Sequence, residues 1–274
     1  PHFFLMIRRP PRSTLFPYTT LFRSDPLDAK SKQNDFWDVA MGRKPIKDIT
    51  LMNKDSLFIY GEVLQDKNVK QDEYAEYFGM CASNYGHVIR TIISNRKTSV
   101  AEVSDWQHSV CPAKLTTWVE SHDTYCNANE SASLTDTQIR LGWTIITARQ
   151  NGIPLFYSRP AGSTRENIWG NNVIGEKGND EFKHPEVVAV NKFRKAMYGE
   201  LETISTYNNG QVVIIERGNK GVAIINLSTN PICIEAKSVM PSGDYTDKVH
   251  NNKFVVKKGI IKATLKPECS YLIY

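Results

Sequence analysis

The sequence predicts an α/β protein in two parts, a parallel-sheet portion followed by a smaller all-β portion. Short apolar runs near residues 55–64, 79–83, 114–123 and 153–160 are separated by stretches of helical periodicity. From about residue 200 the period becomes that of strands alone, with no long helical pattern between them.

Taken in order, "DPLDAKSKQND" (25–35) is polar and turn-rich and reads as a loop, and "FWDVAMGRK" suits a short helix. "DSLFIYGEVL" (55–64) is a compact apolar run with a lone acid near its end, the pattern of a parallel strand buried on both faces. "QDEYAEYF" offers a helical turn or two, and "GMCAS" (79–83) a second strand. "NYGHVIRTIISNR" is an amphipathic helix with Val88, Ile89, Ile92 and Ile93 on its apolar side. "KLTTWVESHD" gives a third strand that ends at an acid pair. "LTDTQIRLGWTIITARQNG" is the clearest helix, with Thr135 as N-cap, apolar residues at Ile139, Trp143 and Ile146, and Gly152 as C-cap. "IPLFYSRP" (153–160) is a fourth strand stopped by Pro160, and a long polar loop leads to the helix "HPEVVAVNKFRKAMYG" (184–199). Beyond it, "QVVIIERGNKGVAIINLS" is two β-rich runs around the hairpin signal "RGNKG"; "ICIEAK", "KFVVKKG", "IIKATL" and "SYLIY" continue in strands.

Composition narrows the partners. Hydrophobic residues make up 41% and charged residues 23% of the 274, proportions of an ordinary globular protein. No apolar run approaches the length needed to cross a bilayer, so no membrane partner is expected. The net charge of +5 invites a nucleic-acid reading, but its distribution opposes one. Residues 1–24 hold four arginines and no acid; the remainder carries 30 basic against 29 acidic residues, and no nucleic-acid partner is expected. Met6 to Ser24 resembles the conceptual translation of a sequencing-adapter oligonucleotide. That stretch has three prolines and no helical or strand period, so residues 1–24 are expected to be an artefactual, disordered segment, and a natural N-terminal portion is expected to be missing. Five dispersed cysteines without a CxxC pair favour free thiols over a disulfide framework.

Polar residues at the carboxyl ends of parallel strands build the active site in barrels of this kind. Glu62, Ser83, Glu120 to Asp123 and Arg159 all fall at such ends. Two carboxylates on different strands can then face each other across a shared mouth, which is what glycoside cleavage requires: one donates a proton to the leaving oxygen, the other stabilises the cationic sugar. Glu62, flanked by "LFIYG" and "VL", is expected to have its pKa raised by desolvation, as suits a proton donor. Asp123, beside His122, suits a group held ionised that grips sugar hydroxyls.

Two of these stretches, "LFIYGEVLQ" and "WVESHDTY", resemble the fifth- and seventh-strand motifs of the α-amylase family, glycoside hydrolase family 13. "IPLFYSRPAGS" is similar to its eighth-strand region, and the β-rich tail to its C-terminal domain, so that the resemblance covers about residues 25–274. It implies the C-terminal half of a (β/α)8 TIM barrel, strands 5 to 8, over residues 25–199, and an antiparallel β-sandwich over 200–274. It implies a retaining glycoside hydrolase that cleaves α-1,4-glucosidic bonds, with an α-glucan polysaccharide or oligosaccharide such as starch or glycogen as partner. Glu62 would be the general acid/base and Asp123 the carboxylate that hydrogen-bonds the sugar at the cleavage subsite, with His122 in support. Tyr125 and Arg159 would line the substrate cleft; the family gives Glu120 no catalytic role. Calcium is implied for a full-length parent, with no metal expected in this stretch, and a secreted parent accords with polysaccharide degradation.

One departure is severe. The family's nucleophile is an aspartate in a G-x-R-x-D-A-x-K-H type motif, and "DPLDAK" offers Asp28 and Ala29 without the preceding strand, arginine or histidine. This chain alone is therefore expected to be inactive or nearly so. Two rival readings stay open: a transglycosylase or isomerase that shares these motifs, and a non-catalytic carbohydrate-binding remnant that uses the β-rich part and aromatic loops. Trp169 lies in such a loop, whereas Trp106 and Trp143 are core candidates. His87, His108, His184 and His250 show no metal-ligand spacing and are expected at the surface or core edge, with Cys126 a packed thiol.

Overall fold

The computed structural model describes residues 36–45, 47–48, 58–63, 65, 69–126 and 130–274. The adapter-like segment, the loop at 25–35 and both ends of the 55–64 run lie outside the described residues. The chain forms two compact units, one ending at Phe78 and one spanning Gly79–Tyr274.

The first unit contains helix α1 (Phe36–Ala40), strand β1 (Tyr60–Gly61) and helix α2 (Gln71–Tyr74). Its core is aromatic. Trp37 meets Tyr74 edge-on at 6.1 Å and lies 4.9 Å from Phe78, while the Arg43 guanidinium sits 4.4 Å over the Tyr77 ring. Gln71 donates from Nε2 to the Val63 carbonyl (3.1 Å) and so holds the chain just past β1. Gly61 has a steric reason: a Cβ there would stand 2.3 Å from Phe78 Cε2, so a side chain would dislodge the ring.

The second unit opens with three parallel strands, β2 (Gly79–Cys81), β3 (Leu115–Thr117) and β4 (Ile153–Pro154), in the order β2-β3-β4. Met80 pairs with Leu115, and Thr116 with Ile153. The strands are shorter than the apolar runs suggested. "GMCAS" stops at Cys81, and Ser83, expected at a strand end, begins helix α3 (Ser83–Asn95). α3 buries Tyr85, Ile89, Ile92 and Ile93. Helix α4 (Val100–Ser104) was not expected, although Ser99 and Glu102 form a reciprocal capping box three residues apart, which the sequence does display.

Helix α5 (His122–Cys126) is followed by helix α6 (Asp136–Ala148), which is capped by Thr135 as expected, with Gln138 closing the box. Every residue of α6 from Leu141 to Ala148 is buried, because neighbours cover it on all sides. Its C-terminus differs from the reading that placed a cap at Gly152. Arg149 is the C-cap in extended backbone, and Gly152 (φ +76°) lies in the turn into β4, with Trp106 in contact distance of any Cβ. Helix α7 (Pro185–Ala196) follows the expected long loop; His184 caps it by accepting the Glu186 amide, and Pro185 takes the first position, where no N–H is needed.

The remaining chain forms two antiparallel sheets. One holds β5 (Glu202–Tyr207), β6 (Val212–Arg217), β7 (Gly221–Asn226) and β12 (Cys269–Ile273) in the order β12-β7-β6-β5. The other holds β8 (Ile232–Lys237), β9 (Gly243–Thr246), β10 (Lys253–Lys257) and β11 (Ile260–Leu265) in the order β8-β11-β10-β9. "RGNKG" closes the β6–β7 hairpin as expected, with Arg217 opposite Gly221. β6 and β7 are buried at every position, since helices cover one face and the second sheet the other, and their sequences are accordingly continuous in Val and Ile. β8 and β10 have one wet face and alternate. Between the sheets lie Val212, Ile214, Ile224, Ile234, Phe254, Ile261 and Tyr271.

Buried arginines gather where α6 ends. Arg149 binds the Glu202 carboxylate through Nε and Nη2 (3.0 and 2.9 Å), donates to the Tyr85 hydroxyl (2.7 Å) and to the Val103 carbonyl, and stacks 4.0 Å over Trp106. Arg217 donates to the carbonyls of Ala148, Arg149, Met197 and Glu200. Arg194 donates to those of Thr147, Arg149 and Gly152. Burial pushes the Glu202 carboxyl up, but Arg149 and the Gln150 amide outweigh it and hold the pKa below its ordinary value.

Arg149→Ala leaves Glu202 without its partner and is expected to cost about 3–5 kcal/mol in urea unfolding. Because Glu202 ionises more readily in the folded chain, its contribution is present above the ordinary glutamate pKa of about 4.3 and is lost as pH falls through the depressed folded value. Glu202→Gln should therefore flatten the fall of stability with acid below about pH 4.3.

Candidate active site

The "WVESHDTY" stretch does not continue as strand. β3 ends at Thr117, residues 118–121 are irregular, and His122 and Asp123 occupy the first turn of α5. The physical reason lies in the polar side chains that follow. The Ser121 amide donates to Thr124 Oγ1 (2.9 Å) and the Thr124 amide to Ser121 Oγ (3.4 Å), a reciprocal pair that caps a helical turn and competes with strand pairing.

Anchors flank this turn. Upstream, Glu120 is buried, 3% exposed, and forms a two-pronged ion pair with Arg159: Nε to Oε1 at 2.9 Å and Nη2 to Oε2 at 3.1 Å. Arg159 Nη2 also donates to the Leu134 carbonyl (2.9 Å), and Nη1 to Asp136 (3.2 Å). Burial pushes the Glu120 carboxyl up against the pull of Arg159, and the Arg159 pKa is raised because Glu120 outweighs its own desolvation. From α3, Arg90 donates to the Val119 carbonyl (3.0 Å) and to Glu130 (3.1 Å). Downstream, Tyr125 is buried beneath the Arg159 guanidinium, 4.7 Å from the ring centroid, and 6.1 Å from the Tyr157 ring.

Between the anchors, His122 and Asp123 face solvent, with side chains 48% and 42% exposed and His122 Nε2 3.6 Å from Asp123 Oδ1. Tyr125 and Arg159 line a cleft of about 630 Å³ whose walls also include Leu134, Asp136, Thr164 and Glu181. His122 and Asp123 are not among its lining residues. Arg159 lies beyond the expected strand, since β4 ends at Pro154, and most of its donors are committed to Glu120 and to backbone carbonyls. Trp169, in the long loop, is 56% exposed.

Glu62 belongs to the first unit and directly follows β1, at the strand end where it was expected. Its desolvation does not hold: the residue is exposed, and only Val63 beside it is buried. Val63 points to the opposite side of the extended chain from Glu62, so its burial does not desolvate the carboxyl.

Comparison with known proteins bears on this geometry. The chain is 39% identical over 234 residues to the α-amylase of Butyrivibrio fibrisolvens, covering 78% of this chain and 24% of the relative. It is 34% identical over 257 residues to that of Clostridium acetobutylicum, covering 90% of this chain and 30% of the relative. Both relatives are α-amylases. The chain therefore spans about a quarter to a third of the length of the curated relatives it matches. No family model matches it. The fold is that of solved α-amylases: α-amylase I of Eisenia fetida superposes with a TM-score of 0.65 at 16% identity, covering 86% of this chain and 58% of that one. A mutant of the same enzyme, in complex with maltohexaose, gives 0.62 at 17% identity over 86% and 58%.

Sequence reasoning missed the Glu120–Arg159 pair, whose members stand 39 residues apart; the placing of both at strand ends was the available signal. The calcium implied for a full-length parent would need a shell of oxygen ligands. Among the described residues, three potential ligands converge at Glu186, His250 and Cys269, a thiol–imidazole–carboxylate set that does not suit calcium.

Arg159→Met strands the buried Glu120 carboxylate and is expected to cost about 3–5 kcal/mol. Hydrogen exchange should localise part of that loss, with amides 121–125 exchanging faster than those of β6 and β7.

Proposed function

We propose that this chain is the part of a retaining α-amylase-type glycoside hydrolase that carries the general acid/base and the sugar-binding carboxylate. In that reading it represents strands 5 to 8 of a (β/α)8 barrel over residues 25–199, followed by a β-sandwich over 200–274. The observation that carries it is the exposed first turn of α5 at the carboxyl end of a parallel strand, presenting His122 and Asp123 between the anchors Glu120 and Tyr125. The chain that carries it is similar to two α-amylases over 78% and 90% of its length. α-1,4-Glucans such as starch or glycogen are the proposed substrates, in keeping with the maltohexaose bound by a structural neighbour.

Glu62 protonates the departing glycosidic oxygen and then, as carboxylate, takes a proton from the water that releases the sugar. Asp123 accepts hydrogen bonds from sugar hydroxyls that strengthen as positive charge grows on the ring, and His122 donates beside it. Tyr125 and Arg159 form a wall of the adjoining cleft. The covalent step needs an aspartate nucleophile, for which the 274 residues offer no matching motif.

The purified chain is expected to release no reducing sugar from soluble starch. A chimera in which residues 36–274 replace the matching stretch of the Butyrivibrio fibrisolvens enzyme should hydrolyse starch, and Glu62→Gln in it should lower kcat by about 10²- to 10⁴-fold. Activity indifferent to Glu62→Gln would remove the assignment. Products separate hydrolysis from transfer: maltooligosaccharides longer than the substrate would mark a transglycosylase.

A further inference from the structure

On the side of α7 facing the antiparallel sheets, three side chains far apart in sequence converge. Glu186 is in the first turn of α7, His250 precedes β10, and Cys269 opens β12. One ligand atom from each lies within 4.8 Å of the other two. His250 Nε2 is fully enclosed yet has no hydrogen-bond partner, an arrangement that is costly unless something else satisfies it. It stands 3.7 Å from Glu186 Oε1. We propose that Glu186, His250 and Cys269 form a binding site for a zinc-class divalent transition-metal ion.

The distances and donor types both fit. Metal–ligand bonds of roughly 2.0–2.3 Å place tetrahedral ligands about 3.3–3.8 Å apart, and the Glu186–His250 separation already falls in that interval. A thiolate, an imidazole and a carboxylate suit zinc and its neighbours, whereas calcium and magnesium take oxygen alone. His250 and Cys269 are half-buried, which leaves a fourth position to solvent.

The surroundings hold the ligands in place. Asp247, itself buried, accepts the His250 amide at Oδ2 (2.6 Å) and the Leu272 amide at Oδ1 (2.9 Å), so the turn carrying His250 is clamped to the strand carrying Cys269. Glu186 accepts the Ser270 amide at Oε1 (3.2 Å), while Arg140 occupies Oε2 (2.9 Å) and leaves Oε1 facing the cluster. Glu186 and Glu181 share the one guanidinium of Arg140, and Asp247 stands beside His250, so carboxylates outnumber that guanidinium around the cluster. Bound there, the ion ties α7 to the two sheets. The spacing of Glu186, His250 and Cys269 gives no sign of this in sequence, because fold rather than a local motif assembles it.

The test uses the full 274-residue chain, reduced, stripped with chelator and titrated with zinc chloride against a chromophoric competitor, then separately with cobalt chloride. One equivalent of zinc held against the competitor, a rise in Tm on adding it, and a thiolate-to-cobalt absorption band are expected. Cys269→Ser should abolish the band and weaken zinc binding at least about 100-fold, while Cys111→Ser and Cys233→Ser, at exposed thiols, should leave both unchanged. No retained zinc, or a band that survives Cys269→Ser, overturns the site. Should Cys269→Ser fail to fold, the unsubstituted chain still decides: zinc is expected to slow alkylation of Cys269 by iodoacetamide more than about 10-fold, and an unchanged rate overturns the site.

Discussion

The segment that displays His122 and Asp123 keeps its shape because Glu120 and Arg159 can be buried together but not apart. A lone carboxylate or guanidinium at that depth would cost several kcal/mol, whereas the paired groups, 2% and 11% exposed at the side chain, satisfy each other in two parallel bonds. The pair does more than neutralise charge. Through Arg159 it also reaches the Leu134 carbonyl and the Tyr125 ring, so one guanidinium joins the end of β3, the helix after it and the approach to α6. Arg90 holds the Val119 carbonyl from the opposite side. With residues 119, 120 and 125 thus tied down, the intervening turn has little freedom, and Ser121 and Thr124 close it locally.

The same logic operates at the end of α6, on a larger scale. A helix buried on all sides must still find partners for its last carbonyls, which no water can reach. Arg194 from α7 and Arg217 from β6 supply them, and Arg149 turns back to Glu202 and Tyr85. These contacts join the α/β stretch to the antiparallel sheets through bonds that are directional and hard to exchange. The arginines at this junction are bonded to carbonyls and carboxylates inside the fold instead of lying on its surface.

What sequence made legible, and what it hid, follows from how local each signal is. The capping box Thr135-x-x-Gln138 marks the start of α6 from within four residues. Continuous Val and Ile in β6 and β7, against alternation in β8 and β10, separate a strand covered on both faces from one covered on a single face. The edge strands β5 and β9 escaped notice because neither face is consistently buried, so no period of two appears. Strand ends were overdrawn for another reason. In "KLTTWVESHD" the apolar character outlasts the backbone pairing, as Val119 is buried by packing rather than by a ladder. The ion pairs that hold the site and the end of α6 join residues 39 and 53 apart, and no window on the sequence contains both partners.

That distinction separates the two acids of "WVESHDTY", which sequence alone treats almost alike. Glu120 is enclosed and held at both oxygens by one guanidinium, so accepting a sugar hydroxyl would mean releasing Arg159 and exposing a buried charge. Asp123, three residues on, is 42% exposed, and its neighbour His122 is exposed beside it. A group that must strengthen its hydrogen bonds as charge develops on a substrate has to begin with accepting capacity to offer. By that criterion Glu120 suits a positioning role and Asp123 the binding role proposed for it. The irregular step from strand to short helix decides what stands beside Asp123: an unbroken strand would have turned His122 to the face of Glu120, whereas the first turn of α5 exposes His122 and Asp123 together.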